Sequence, residues 1–257
     1  MFELLGYLFF VFSGFLFGLF GSGGSIIIIP ILIYVFKLSI YEATTYSLLL
    51  VFITSLFGTV RHIYQKNFHI PNLVFFILPT LLFTFLSRTF LFPAIPVHVE
   101  ILNMSKDSIL MLLFAVVIFS ASLSFFKSIK LTIKSNYKLV LIIIGLIIGL
   151  LTGLLGIGGG FIIVPALVLF AGLDMRQAAS STLFIIMLNT LLALILELTV
   201  FDFQFSISFI ITLLFMLLIG IIIGIKLLNI LDLNIVKKLF SITLLVLSLC
   251  LFLLELL

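Results

Sequence analysis

The chain has 257 residues, 64% of them hydrophobic and only 9% charged, where an ordinary soluble domain carries about a quarter charged residues. That balance excludes a soluble enzyme or a nucleic-acid-binding module. The net charge of +4 comes from 13 Lys and Arg residues that stand singly or in short loops between apolar runs, a pattern of topology control and not a basic binding face.

Taken in chain order, the apolar runs lie at 4–20, 26–36, 43–60, 70–92 and 108–126, then at 139–155, 161–172, 178–198, 205–225 and 236–256. About 20 residues cross a hydrocarbon core of about 30 Å, so the fold expected is an all-α integral membrane protein with 8–10 membrane segments. Met1-Phe2-Glu3 lacks the basic stretch of a cleavable leader, and the first run is expected to persist. The polar stretch KSIKLTIKSNYK, residues 127–138, reads as a linker between a first membrane repeat, residues 1–126, and a second, residues 139–257. A single cysteine, Cys250, excludes an intramolecular disulfide and any Cys-based metal cluster.

The halves are copies of one another. Residues 14–30 read GFLFGLFGSGGSIIIIP and residues 149–165 read GLLTGLLGIGGGFIIVP, with ten of 17 positions identical at an offset of 135. At the same offset EATTYSL, residues 42–48, matches QAASSTL, residues 177–183.

The second run of each half is short, reaching only about 18 Å at about 1.5 Å per residue. Each glycine motif is therefore either a kink in one long broken helix or the tip of a hairpin that dips into the membrane and returns. Lys and Arg placement decides between them, because cytoplasmic loops carry the excess. With hairpins, ten cations (Arg61, Lys66, Lys127, Lys130, Lys134, Lys138, Arg176, Lys226, Lys237 and Lys238) fall on the linker side and three (Lys37, Arg88 and Lys106) on the other. With broken helices the split is six to seven. The hairpin reading gives two inverted repeats, each of three full transmembrane helices plus a glycine-tipped helical hairpin, with the linker cytoplasmic and both termini outside.

Irregular backbone at membrane depth is tolerated where it is buried in protein or lines a cavity. Tips from inverted repeats are expected to meet near the midplane, where secondary transporters with discontinuous helices hold substrate. The tips are Gly21-Ser22-Gly23-Gly24-Ser25 and Gly156-Ile157-Gly158-Gly159-Gly160. Each opens a short helix, so free N–H groups and the positive end of a helix dipole make an anion site of backbone. Thr44, Thr45 and Ser47, with Ser180, Ser181 and Thr182 in the second copy, offer further donors. Asn189 is a polar side chain deep in an apolar run, placed either as helix glue or as a substrate ligand. Plainer readings stand beside these: a tight turn for the glycines, and bonding to the carbonyl one turn back for the hydroxyls. The spacings Gly14-xxx-Gly18, Gly149-xxx-Gly153 and Gly220-xxx-Gly224 read as close helix packing and are left out of the site. His62, His69, His98 and Glu100 are expected in solvated loops, as are Glu197 and Asp202. With no carboxylate expected in the interior, an ion site built on one is not anticipated.

The doubled motif, followed in each half by its Ala, hydroxyl and Leu stretch, resembles the sulfite exporter TauE/SafE family over nearly the whole chain. The resemblance implies movement of sulfite or organosulfonates across the cytoplasmic membrane without ATP hydrolysis. Two departures, Ser25 where the second copy has a third glycine and Phe85 at the position matching Gly220, make the halves unequal. The expected function is a secondary transporter of small anions working by alternating access, with no cofactor and with the lipid bilayer and the anion as partners. A passive channel is the alternative, and the absence of nucleophile or metal-ligand motifs argues against an enzyme.

Overall fold

The computed structural model describes the chain apart from residues 1, 21–22, 65–72, 100–103, 127–136, 157, 171, 174, 201–202, 229, 232 and 257. The expected positions Gly21, Ser22, Ile157, Lys66, His69, Glu100, Lys127, Lys130, Lys134 and Asp202 therefore lie outside the described residues. The rest is almost entirely helical. In the first half, α1 (Phe2–Phe20) leads to the short α2 (Ser25–Pro30), continued by a π-helical turn, Ile31–Val35. Then come α3 (Ile40–Tyr64) and α4 (Val74–Leu86), which runs on through a second π-helical turn, Ser87–Leu91, into α5 (Phe92–Ala94). A two-residue antiparallel hairpin, His98–Val99 with Met104–Ser105, precedes α6 (Lys106–Phe126). The second half holds α7 (Tyr137–Leu155), α8 (Gly160–Phe170), α9 (Met175–Thr199), α10 (Ile207–Leu228) and α11 (Leu233–Leu256). Among the described residues seven helices are long and apolar enough to cross a membrane, and α1 and the Ser25–Val35 stretch are shorter.

The chain doubles back after α1. Val35 and Phe36, at the end of the π-helical turn, lie against Gly6 at the start of α1, and the Phe36 ring packs edge-on against Tyr7, 5.5 Å between centroids. All of α2 is buried, as is most of α8. Both short helices sit in the interior, and the described glycines that lead into them, Gly23, Gly24, Gly158 and Gly159, are buried in protein. The exposed apolar side chains lie largely on α1, α4, α10 and α11.

Four helix pairs build the bundle: α1 with α10, α4 with α7, α3 with α9, and α6 with α11. Each pair joins the two halves. The tightest seam is made by the small-residue spacings, as expected for packing. A Cβ on Gly220 would stand 1.9 Å from the Val11 carbonyl oxygen, and one on Gly14 would stand 2.1 Å from that of Leu217. Between α4 and α7 the approach is similar, and there the hydroxyls of Thr84 and Ser87 donate to the carbonyls of Gly149 (3.2 Å) and Leu150 (2.8 Å). Such bonds contribute about 0.6 kcal/mol each.

Replacing Gly220 by leucine forces α1 and α10 apart and is expected to cost about 3 kcal/mol or more, seen as a sharp fall in the melting temperature of the purified protein. Phe215→Leu, on the lipid-facing side of the same helix, is the control and leaves the melting temperature within a degree or two.

Candidate functional site

The second glycine tip lies over the contact between α3 and α9. Gly156, Gly158 and Gly159 have φ of +66°, +70° and +71°, a left-handed region that other residues enter only at a cost. These three glycines lie between the end of α7 and the start of α8. The Gly156 N–H closes α7 on the Thr152 carbonyl at 2.8 Å, and the amides of Ile162 and Ile163 donate back to Gly159 at 3.0 Å. Helix α8 opens at Gly160, so its first amides have no carbonyl within the helix to meet and the positive end of its dipole faces the tip.

Neighbours define where the tip points. Gly156 abuts Thr44 of α3, while Gly158 abuts Val51 of α3 together with Ile186 and Thr190 of α9. Helical spacing puts Ser47 on the same face of α3 as Thr44 and Val51, and Thr182 and Asn189 on the same face of α9 as Ile186. Ser47 Oγ, Ser181 Oγ, Thr182 Oγ1 and both polar atoms of Asn189 are buried with no hydrogen-bond partner, as is Thr152 Oγ1 beside Gly159. Unsatisfied polar groups cost about 1–3 kcal/mol each, so these residues on α3, α7 and α9, the helices that contact the tip, are a concentration that folding alone does not favour.

The other expected donors behave differently. Thr44 and Thr45 spend their hydroxyl protons on the Tyr41 carbonyl, at 3.0 and 2.8 Å, and Ser180 donates to Gln177 at 3.0 Å. These three follow the plainer expectation of bonding one turn back. The first tip is also placed differently from the second. Gly24 has φ of −69°, its carbonyl accepts from Ser13 Oγ at 2.7 Å, and Gly23 packs against the Phe240 ring. Ser25 is fully buried at the start of α2. Gly23 meets α1 and α11, and Gly156 and Gly158 meet α3 and α9, whereas Gly24 and Gly159, equivalent at the offset of 135, both rest on the helix that precedes them, α1 and α7.

The dominant electrostatic feature is one that reading by apolar runs misplaced. Arg88, counted as an external loop cation, and Glu197, expected wet at the end of its run, are both fully buried and form an ion pair. The expectation of an interior without a carboxylate is therefore corrected. Arg88 sits in the π-helical turn Ser87–Leu91, where the extra residue per turn swings its side chain inward. Its Nε donates to Glu197, its Nη2 to Thr44 Oγ1 (3.1 Å) and Thr45 Oγ1 (3.2 Å), and its guanidinium carbon lies 4.2 Å from the centre of the Phe92 ring. Having donated to Tyr41, the two threonine oxygens still have lone pairs to accept from Arg88. Glu197 Oε2 has no hydrogen-bond partner. The available signal was position: Arg88 lies inside the run 70–92 and Glu197 inside 178–198, and charges within a membrane run are rare and functional.

Thr44 joins the two features, receiving Arg88 on its hydroxyl while its Cα and Cβ stand against Gly156. A permanent cation, several unpartnered donors and a helix N-terminus lie along one seam between the halves.

The family model for sulfite exporter TauE/SafE matches residues 7–251. Neither a curated protein nor a solved structure matches significantly.

Removing one member of the ion pair strands the other in an apolar interior, so Arg88→Gln is expected to destabilise the protein by about 3–5 kcal/mol. Arg88→Gln combined with Glu197→Gln restores most of that loss. Thermal melts of the two single variants and the double variant form the cycle that measures it.

Proposed function

The chain belongs to the sulfite exporter TauE/SafE family, a family of membrane transporters, and from that premise we propose that it carries a small anion, sulfite or an organosulfonate, across the cytoplasmic membrane by alternating access. The observation that carries this reading is the fully buried Arg88 guanidinium, linked through Thr44 to a glycine tip, with unpartnered polar atoms on the helices the tip contacts. In a membrane interior such groups persist where a ligand of opposite charge repays them. Sulfur oxyanions offer several acceptor oxygens on one compact centre, and donors for them come from the first two amides of α8, ahead of those held by Gly159, from the hydroxyls of Ser47, Ser181 and Thr182, and from the Asn189 amide.

Alternating access follows from the way the site is enclosed. The polar atoms of Ser47 on α3 and of Ser181, Thr182 and Asn189 on α9 are buried. An anion that meets them needs the contact between these two helices to part. Because every major helix pair joins one half to the other, rocking of the halves moves that seam directly. A two-fold relation between the halves is supported by the pairing itself: the first helix of each half packs on the third long membrane helix of the other, α1 on α10 and α7 on α4.

Thermal-shift screening of oxyanions on the purified protein is expected to show stabilisation by sulfite or sulfonates. Flux in proteoliposomes is expected to be slow and saturable, whereas very fast flux linear in concentration would assign a channel. Asn189→Leu removes two unpartnered polar atoms from the interior, so it raises the melting temperature of the empty protein while weakening anion binding about tenfold or more. A helix-packing role for Asn189 predicts the opposite sign for stability. Single cysteines at Lys130 and Asp202, introduced into a Cys250→Ser background, are expected to label from opposite sides of the membrane; labelling from one side would remove the inverted topology.

A further inference from the structure

A buried guanidinium is an anion receptor, yet here its Nε is already held by a carboxylate of the same chain. Carboxylates and sulfur oxyanions present similar pairs of oxygens to a guanidinium, so an anion arriving at Arg88 competes with Glu197 for the same hydrogens. The pairing with Glu197 is also incomplete, since Oε2 is buried without a hydrogen-bond partner. Once an anion takes Arg88, the Glu197 carboxylate is left as a lone charge in an apolar interior. A group in that position is relieved by taking up a proton.

We propose that Glu197 couples proton movement to anion movement: it neutralises Arg88 in the empty protein and binds one proton when an anion replaces it, so that one proton and one anion travel together in the same direction. The proposal rests on the transport reading above. Charge balances at each stage. The empty site holds one positive and one negative side chain; the loaded site holds the same guanidinium, a monovalent anion and a neutral carboxylic acid. Both states are neutral, so carriage of a monovalent anion is electroneutral.

The surroundings leave this role to Glu197. Tyr41 of α3 interacts with the carboxylate through its hydroxyl and sits near Arg88, its ring centre 5.8 Å from the guanidinium carbon. Thr44 and Thr45, also on α3, contribute neutral hydroxyls. Lys106 of α6 reaches the same Phe92 ring, 4.0 Å from its centre, and bonds the Phe92 carbonyl, with Asp107 acting electrostatically on it from the next position. Among the described residues, Glu197 is the acidic side chain that forms a salt bridge with Arg88. Lys106 adds a second positive field near Arg88, which strengthens the draw for an anion and leaves the proton to Glu197.

The test uses the full chain in liposomes with methanesulfonate, which stays monovalent across the working pH range and brings no proton of its own. An inward methanesulfonate gradient is expected to acidify the lumen, read by a trapped pH dye, with one proton per anion and no response to an imposed potassium-valinomycin potential. Methanesulfonate affinity of the purified protein falls with rising pH, approaching about tenfold per pH unit on the alkaline side, the limit for one linked proton. Glu197→Gln, a neutral copy of the protonated acid, abolishes luminal acidification, flattens the pH dependence and binds methanesulfonate more tightly than the wild type at alkaline pH. Wild-type uptake without acidification, uptake driven by the potential, or acidification that survives in Glu197→Gln would overturn the coupling and leave anion transport standing. The first two readings come from the wild type alone and decide the matter even if the variant does not fold. No saturable uptake by the wild type at any pH would overturn the transport reading and the coupling with it.

Discussion

The structure turns on one constraint: a guanidinium and a carboxylate, both with no exposure, held together inside an apolar bundle. Neither charge is tolerable there alone, so the elements that carry them are fixed relative to one another. Arg88 belongs to the π-helical turn after α4 and Glu197 to the last turns of α9, so the pair ties the first half of the chain to the second. Thr44 and Thr45 extend the tie to α3, and the seam between α3 and α9 is where the second glycine tip rests. The electrostatic anchor and the irregular backbone thus meet at Thr44, which accepts from Arg88 and abuts Gly156 of the tip.

Much of the architecture is legible in the sequence because membrane helices obey length and hydropathy so closely. The run at 43–60 becomes α3 and the run at 178–198 becomes α9, each extended by a few residues at the ends where polar side chains still fit a helix. The Gly14, Gly18, Gly220 and Gly224 spacings identify a close seam, although not that the partners are α1 and α10. Among candidate ligands, Ser47, Ser181, Thr182 and Asn189 are buried without partners, whereas Thr44, Thr45 and Ser180 bond backbone one turn back. Sequence alone cannot separate those groups, because a hydroxyl early in a helix has both choices and the neighbouring helices decide.

The ion pair was harder to see for two physical reasons. Its partners are 109 residues apart and belong to different halves, so no local spacing links them. In addition, a π-helical turn shifts the face on which Arg88 emerges, and that shift has no signature in the apolar pattern. Hydropathy averaged over a run then assigns each charge to the nearest interface. The two glycine tips, read from Ser25 and Phe85 as unequal, differ in backbone: three left-handed glycines shape the second, while Gly24 of the first has helical φ and ψ.

The duplication in the sequence stops short of the ion pair. At the offset of 135 the position matching Arg88 is Ile223, and the position matching Glu197 is His62. A carrier with interchangeable halves would meet its cargo through equivalent gates on the two membrane faces, with equal half-saturation from either side. On the proposed alternating-access reading, the charged pair being present once makes the two gates differ in what must be unlatched before the cargo binds. Rates inward and outward then become separately adjustable at a fixed overall equilibrium, and a protein without a motor acquires a kinetically preferred direction.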